Sequence, residues 1–436
     1  MIGKQEKNSY LFDNLETMLD PKQPLYLLSH KINWDEVYEW FKKYYSEKGR
    51  SAKTIRLMVS LLILKRIYDL GDETVVEQWI QNPYMQYFSG EKTFHWSLPC
   101  DPSDLVHFRK RIGKEGVEKI FKISIDIHDE ASYEKEISVD TTVQEKNITF
   151  PTDVKLYKKI CDLCVKIADD ENIALRQSYR RTVKKLVFLQ RGKKSRRGIM
   201  IAKKAKRHLK IIAGRLLREL KRKLSSKSYE KYSELLGIFD SILKQARDSK
   251  DKIYSIHEPH IYCISKGKDY KKYEYGTKVS IAYTNKSGII VGALNIEKNK
   301  HDSKSIPEVI DQIESLTGNV PLKVGTDQGY RGISKYNGCE IIHADKLRGK
   351  RLSQYERRKI KKLLRRRAGI EAIIGHLKNR HRLNRNYLSG SLGDELNVLL
   401  AAAGFNFKKW MRNIKLAFDI IFYKLKLKGL SFNFCY

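Results

Sequence analysis

The sequence predicts an α/β core that is split by a large all-helical insertion and preceded by a helical domain. Three observations carry this. Two short apolar, β-branched runs, EISVDTTV and LKVGTDQGY, contain Asp140 and Asp327, and runs of this kind read as buried strands. Between them, residues 154–250 keep helical periodicity with few strand signals. Before them, residues 1–130 read as helical throughout. The expected organisation is a helical N-terminal DNA-binding or assembly domain over 1–130 and a catalytic domain over 131–153 plus 251–385. A basic helical insertion over 154–250 and a C-terminal helical tail over 386–436 complete it.

In chain order, Lys53 to Leu70 is strongly apolar with scattered basic residues, and Gly71 stops it. Asp72 is the expected N-cap of a second helix, Glu73 to Ile80, and a third runs from Leu105 to Phe121 with Arg109 and Arg111 on it. Helix, glycine turn, helix is compatible with a DNA-binding helix-turn-helix and equally with a plain bundle. Tyr84, Tyr87, Phe88 and Trp96 are aromatic groups for either base stacking or core packing. Cys161 and Cys164 form a CxxC with no second pair, which reads as buried thiols more readily than as zinc ligands. Strands are expected at Ile261–Ser265, Thr277–Thr284 and Gly288–Asn295, the last two joined by a hairpin turn at 285–288. A helix over Asp302–Leu316, the strand before Asp327, a short strand at Glu340–His343 and a long basic helix, KIKKLLRRRAGIEAIIGHLKNRHR, follow. The tail, 394–428, is anchored by Leu399, Leu400, Phe405, Phe407 and Trp410.

The charge narrows the function. The chain has 436 residues, 41% of them hydrophobic, and a formal net charge of +35, so it is globular and expects a polyanionic partner. No apolar run spans a bilayer: Val398 to Phe405 is less than half of the roughly 20 residues required. The N-terminus, MIGKQEKNSY, lacks a signal-peptide run. A cytosolic location, or a nuclear one in a cell that has a nucleus, is expected, with nucleic acid as the polyanionic partner and no membrane. From Arg176 to Lys223 there are 20 Lys or Arg and one acid, Glu219. Helices this basic repel themselves unless phosphates neutralise them. Lys193, Lys194, Arg196 and Arg197, in RGKKSRRG, are the expected loop contacts.

Three carboxylates on separate elements, Asp140, Asp327 and Glu371, give the chemistry. Adjacent strands lie about 4.8 Å apart, so acids at strand ends can converge, and a helix on the sheet can add a third. Like charges so placed repel and call for a divalent cation. Mg²⁺ is expected, with Mn²⁺ as a substitute and two ions per site, serving in-line phosphoryl displacement. Arg367 and Lys378 share the helix face of Glu371 and are expected to hold flanking phosphates, with Gly375 leaving room for the backbone to approach. Asp302 and Asp345 are the competing carboxylates, and His301 and His343 read as structural or surface residues.

These blocks resemble those of bacterial insertion-sequence transposases of the DDE class, in the IS4/IS5 group. SVDTTVQEKNITFPTD is similar to the first catalytic block through Asp140, and VGTDQGYRG to the second through Asp327. The third block of the group is a Tyr, Arg, Glu, Lys signature, met here by Arg367, Glu371 and Lys378 with Leu364 at the Tyr position. HEPHIYCISKGKDYKKYEYGTKVSIAYT and the helical stretch RLMVSLLILKRIYDLGDETVVEQWIQNPYMQYFSG resemble further family segments. The resemblance implies an RNase H-like core with a mixed five-stranded sheet, and Mg²⁺-dependent cleavage and strand transfer at terminal inverted repeats. It also implies a cytoplasmic, nucleoid-associated protein of a bacterium or archaeon that assembles as a homodimer or larger oligomer on double-stranded DNA. An RNase H-like nuclease or resolvase that cuts without joining, and a catalytically idle DNA-binding repressor, are the alternatives.

Overall fold

The computed structural model describes residues 14–46, 52–192, 195–246, 248–265, 271–296, 298, 300–347 and 352–427. The chain divides into two compact units, one of residues 1–144 and 278–436 and one of residues 145–277.

The first unit begins with helices α1 (Leu15–Met18), α2 (Pro24–Lys31), α3 (Trp34–Phe41), α4 (Ile55–Ile67), α5 (Asp72–Gln81), α6 (Pro83–Phe88) and α7 (Pro102–Asp126). Thr54 caps α4 by accepting from the Leu57 amide at 3.3 Å. Residues Ile55 to Ile67 of α4 are buried almost all round, Lys65 and Arg66 included, which marks a core helix. The exposed positions of α5 include Glu73 and Glu77. A buried first helix and an acidic second one favour the bundle over the helix-turn-helix. Asp72 does not cap α5: Gly71 takes that place, its amide donating to Thr74 Oγ1 at 2.7 Å. The reason is tertiary, because the Asp72 carboxylate accepts from Lys65 at 2.6 Å and from both arms of Arg109 at 2.7 Å. Helix α7 is longer than expected and breaks at Gly113, whose φ of 58° lies in the region that suits glycine.

Strand β1 (Glu136–Lys146) follows and runs out of the first unit into the second. The second unit holds α8 (Asp153–Asp170), α9 (Arg180–Phe188), α10 (Arg196–Lys223), α11 (Ser226–Lys244) and β2 (Tyr262–Ser265). Its own core joins Tyr157, Ile160, Cys161 and Cys164 of α8 to Leu209, Ile212, Leu216 and Leu220 of α10 and Phe239 and Ile242 of α11. This compact unit is wider than the 154–250 insertion, since it also takes in the end of β1, β2 and the start of β3 (Tyr273–Thr284).

Back in the first unit come β4 (Ile290–Ile296), α12 (Ile306–Thr317), β5 (Lys323–Gly325), β6 (Lys335–Tyr336), β7 (Cys339–Ile342), α13 (Gln354–Arg367), α14 (Gly369–Arg380), β8 (Arg385–Asn386) and α15 (Gly390–Leu427). The sheet order is β2-β3-β1-β5-β7-β6, with β4 also on β3 and β8 on β1. β5 pairs parallel with β1 and with β7, while β3 pairs antiparallel with β2 and β4. The sheet is mixed, as expected, but among the described residues it has eight strands rather than five. Two of these, β6 and β8, are two residues long and carry no alternation to read. One apolar core runs through α2 to α7, the sheet, α12 and α15, so the first unit has no seam near residue 130 or 386. Asn406 on α15 clips the edge of β4, accepting from the Ile290 amide at 3.0 Å and donating to its carbonyl at 2.8 Å.

Candidate active site

The register of β1 and β5 places the two aspartates. Ile137 pairs with Val324 and Ser138 with Gly325. Two residues past this last pair stand Asp140, still on β1, and Asp327, in extended backbone just beyond the end of β5, so a continued register sets them on one face. Val139 and Val324 are fully buried beside them, whereas Asp140 and Asp327 are half-buried. Asp327 ends the extended backbone and caps a short 3₁₀ turn, accepting from the Gly329 amide at 2.8 Å. Asp140 accepts from the Thr141 amide at 2.7 Å.

Helix α13 is brought to this edge by packing. A capping box of Ser353 and Glu356 starts it. A Cβ at Gly325 would stand 3.3 Å from both Leu363 Cγ and Ser138 Oγ, so glycine there is what lets buried Leu363 lie on the strand. One turn later the helix is tied to the sheet three times. Tyr283 of β3 donates to the Arg366 carbonyl at 2.5 Å, Arg366 lies 3.8 Å from Glu136, and Arg367 lies 3.6 Å from Asp140. The expected single long helix is two, parted at Ala368. Glu371 lies in the first turn of α14 and is exposed, while Ile370 and Leu377 anchor that helix in the interior. Gly375 has open space where a Cβ would point, and Lys378 is half-buried. Leu364, at the signature Tyr position, is packed against the small cluster of Ile342, Ile360 and Leu363.

Asp140 and Asp327 thus stand side by side with Arg367 on Asp140, and Glu371 one helical turn beyond Arg367. The donors suit a hard divalent cation, being carboxylate oxygens on adjacent strands. The seat is not closed around one: among the described residues no three His, Cys, Asp or Glu side chains are grouped to hold a metal ion. Asp302, at the start of a 3₁₀ turn leading into α12, lies next to Asp327. A Cβ on Gly329 would be 3.0 Å from Asp327 Oδ1 and 3.4 Å from Asp302 Oδ2. Only its place between two widely separated segments reveals this. Tyr330 is fully buried behind them, and burial, then the charges of Asp140, Asp302 and Asp327, raise its pKa well above the ordinary phenol value. Asp345 is turned to Arg331, with His343 4.0 Å away, and His301 donates to or accepts from Ser303 at 2.8 Å.

Of the cations expected at DNA, Arg109 is a correction. It is 4% exposed and forks onto Asp72, so it serves the bundle core. Arg111 is exposed and sits 5.6 Å over the Tyr45 ring. Arg196 and Arg197 are exposed, in the first turn of α10 rather than in a loop. Lys193 and Lys194 lie outside the described residues. Among the aromatic residues, Phe88 is core, whereas Trp96 is 82% exposed. Cys161 and Cys164 are buried, and burial pushes both thiols up to about 12, as inert thiols should be.

Residues 13–111 match a Transposase domain (DUF772), and residues 232–407 match a Transposase DDE domain. The chain belongs to the DDE transposases of insertion sequences. The second match contains Asp302, Asp327, Arg367, Glu371 and Lys378, whereas Asp140 lies outside both matched stretches. The matches do not single out the IS4/IS5 group within these transposases. The transposase is also similar to the "Uncharacterized protein ORF8 in nfe locus" of Rhizobium meliloti, at 40% identity over 184 residues, 41% of this chain and 89% of that protein. No solved structure matches it significantly. The family normally uses a divalent metal, and no described helix of this transposase is long and apolar enough to cross a membrane.

Proposed function

We propose that this transposase binds the terminal inverted repeats of its element in the cytoplasm, cleaves the DNA strand there, and joins the freed end to target DNA. The observation that supports this best is that Asp140 and Asp327 each stand two residues past the Ser138–Gly325 pair of β1 and β5, with Arg367 3.6 Å from Asp140. In this reading Asp140 and Asp327 hold divalent cation, Mg²⁺ or in its place Mn²⁺, and Glu371 completes the set when α14 closes on DNA. Bound cations, two at full occupancy, would supply charge stabilisation at the phosphoryl oxygens and an acidified water or 3′-hydroxyl as nucleophile. Arg367, already beside Asp140, then holds a phosphate flanking the scissile bond, and Lys378 holds another two turns along α14. The open space at Gly375 leaves that helix face accessible to the DNA backbone. Arg111, Arg196 and Arg197, with Lys193 and Lys194, contribute sequence-independent phosphate contacts. A dimer or larger assembly on DNA would bring two ends together.

The test is a cleavage assay with Mg²⁺ and duplex bearing the element's ends. Wild-type protein nicks at the end, and Asp327→Ala does not. Wild-type activity in Asp327→Ala would remove Asp327 from the site. A product joined to target DNA separates transposition from a nuclease or resolvase, which would stop at cleavage. A repressor would bind the ends and leave both strands whole.

A further inference from the structure

Asp302 is half-buried on the 3₁₀ turn before α12 and is held by Lys278, whose ammonium donates to Asp302 Oδ1 at 2.9 Å and to the Lys300 carbonyl at 2.9 Å. Its other oxygen, Oδ2, and Asp327 Oδ1 both border the space beside Gly329, 3.4 and 3.0 Å from where a Cβ would stand. Carboxylates on neighbouring segments repel, and Lys278, 14% exposed at its side chain, offsets Asp302. A second, independent sign of a ligand site lies beneath. The Tyr330 hydroxyl is fully buried in the field of Asp140, Asp302 and Asp327, and among the described residues it makes no well-formed hydrogen bond, only a loose one with Thr141. A buried hydroxyl without a partner is costly unless a water or ligand shell reaches it. The Thr326 hydroxyl, one residue before Asp327, is buried and unpartnered as well.

We infer that Asp302 is a positioning residue of the cation seat, strengthening divalent binding at Asp140 and Asp327 by its charge, and that Lys278 is the internal counter-charge that tunes it. The inference rests on the reading of Asp140 and Asp327 as cation ligands. In the DNA-free protein Lys278 partly satisfies Asp302 and lowers the field at the seat. Its ion pair therefore opposes cation uptake, while Asp302 itself promotes it.

The two side chains must then act in opposite directions, which a merely structural ion pair would not do. Mn²⁺ binding is measured by isothermal titration on the full chain without DNA. Asp302→Asn weakens it about 10- to 100-fold, the usual effect of losing a group that supports metal ligands. Lys278→Gln tightens it, an outcome that misfolding cannot mimic. Thermal melts of both variants report the fold separately. Unchanged Mn²⁺ affinity in Asp302→Asn, or unchanged or weaker affinity in Lys278→Gln, overturns the inference. Binding by wild type that Asp327→Asn abolishes and Asp302→Asn leaves intact would refute Asp302 alone. A wild-type chain that takes up no Mn²⁺ would refute the seat itself, and Asp302's role with it.

Discussion

At the scale of residues, the site depends on how closely α13 can approach β5. Gly325 sets this distance, with Leu363 and Ser138 each 3.3 Å from where a Cβ would sit. Gly325→Ala would press on Leu363, which precedes Arg367 by one turn. Overpacking of this kind costs about 1–3 kcal/mol, or a few degrees of melting temperature in a chain of this size. The expected outcome is a modest thermal shift with strand cleavage reduced by about tenfold or more, because small misplacements of catalytic groups have large effects. Cleavage reduced only in proportion to stability would show that the α13 position is slack. The strand that carries Asp140, the extended run before Asp327 and the helical placement of Arg367, Glu371 and Lys378 were legible in the sequence from alternation and helical periodicity, whereas the split that puts Arg367 on α13 and Glu371 and Lys378 on α14 was not. The approach of Asp302 to Asp327 was not legible. It depends on two 3₁₀ turns meeting through Gly329, and no local pattern encodes that. Arg109 misled for the same reason: its partner, Asp72, is 37 residues away.

At the scale of elements, α14 carries Glu371 on a helix whose far end is held by a neutral imidazole. His381, 2% exposed just past α14, hydrogen-bonds through Nδ1 to the Arg66 carbonyl on α4 at 3.1 Å. His128, following α7, contacts the Asn406 carbonyl of α15 at 3.1 Å. Burial lowers both pKa values from 6.5 to about 4. The sign follows from proton uptake. Between pH 6.5 and about 4 the unfolded chain binds protons at these rings that the folded chain does not. Their contribution is therefore complete above pH 6.5 and is lost as pH falls through that interval. The burial of Asp72 is outweighed by Arg109 and Lys65, which hold it down to about 2, so its contribution is lost mainly below the ordinary value of 3.8. The DNA-free protein should melt at progressively lower temperature from pH 6.5 to about 4, and His381→Asn should flatten part of that slope. Equal slopes in wild type and His381→Asn would show that this ring does not govern the acid response. The helices themselves were largely readable from their apolar spacing and caps. The parting at Ala368 was not, because no glycine or proline marks it and it falls just after the residues tied to Tyr283, Glu136 and Asp140 on the sheet.

At the scale of the whole molecule, the net charge of +35 is unevenly distributed, and α10 concentrates it. Its buried stripe, including Leu209, Ile212, Leu216 and Leu220, packs within the 145–277 unit, while Arg196, Arg197, Lys203, Lys204, Arg207, Arg215 and Arg218 are exposed. The sequence reveals the quantity of charge but not which cations are engaged internally. Lys206 pairs with Asp153 and Lys221 with Asp240, so these two are less available to phosphates. Exposed cations that neutralise phosphates release counterions, and binding then weakens steeply with salt. Neutralising roughly six to ten phosphates would cost about 10³–10⁵ in affinity between about 50 and 200 mM salt. Replacing Arg196, Arg197 and Arg207 by alanine should flatten the plot of log affinity against log salt by about 0.9 for each phosphate no longer neutralised, with little thermal effect. Lys206→Ala should do the reverse, lowering the melting temperature through Asp153 while barely changing the salt slope. If both sets change the slope equally, the charge on α10 acts as a diffuse cloud. If only the arginine set does, the exposed face of α10 is a phosphate-binding surface.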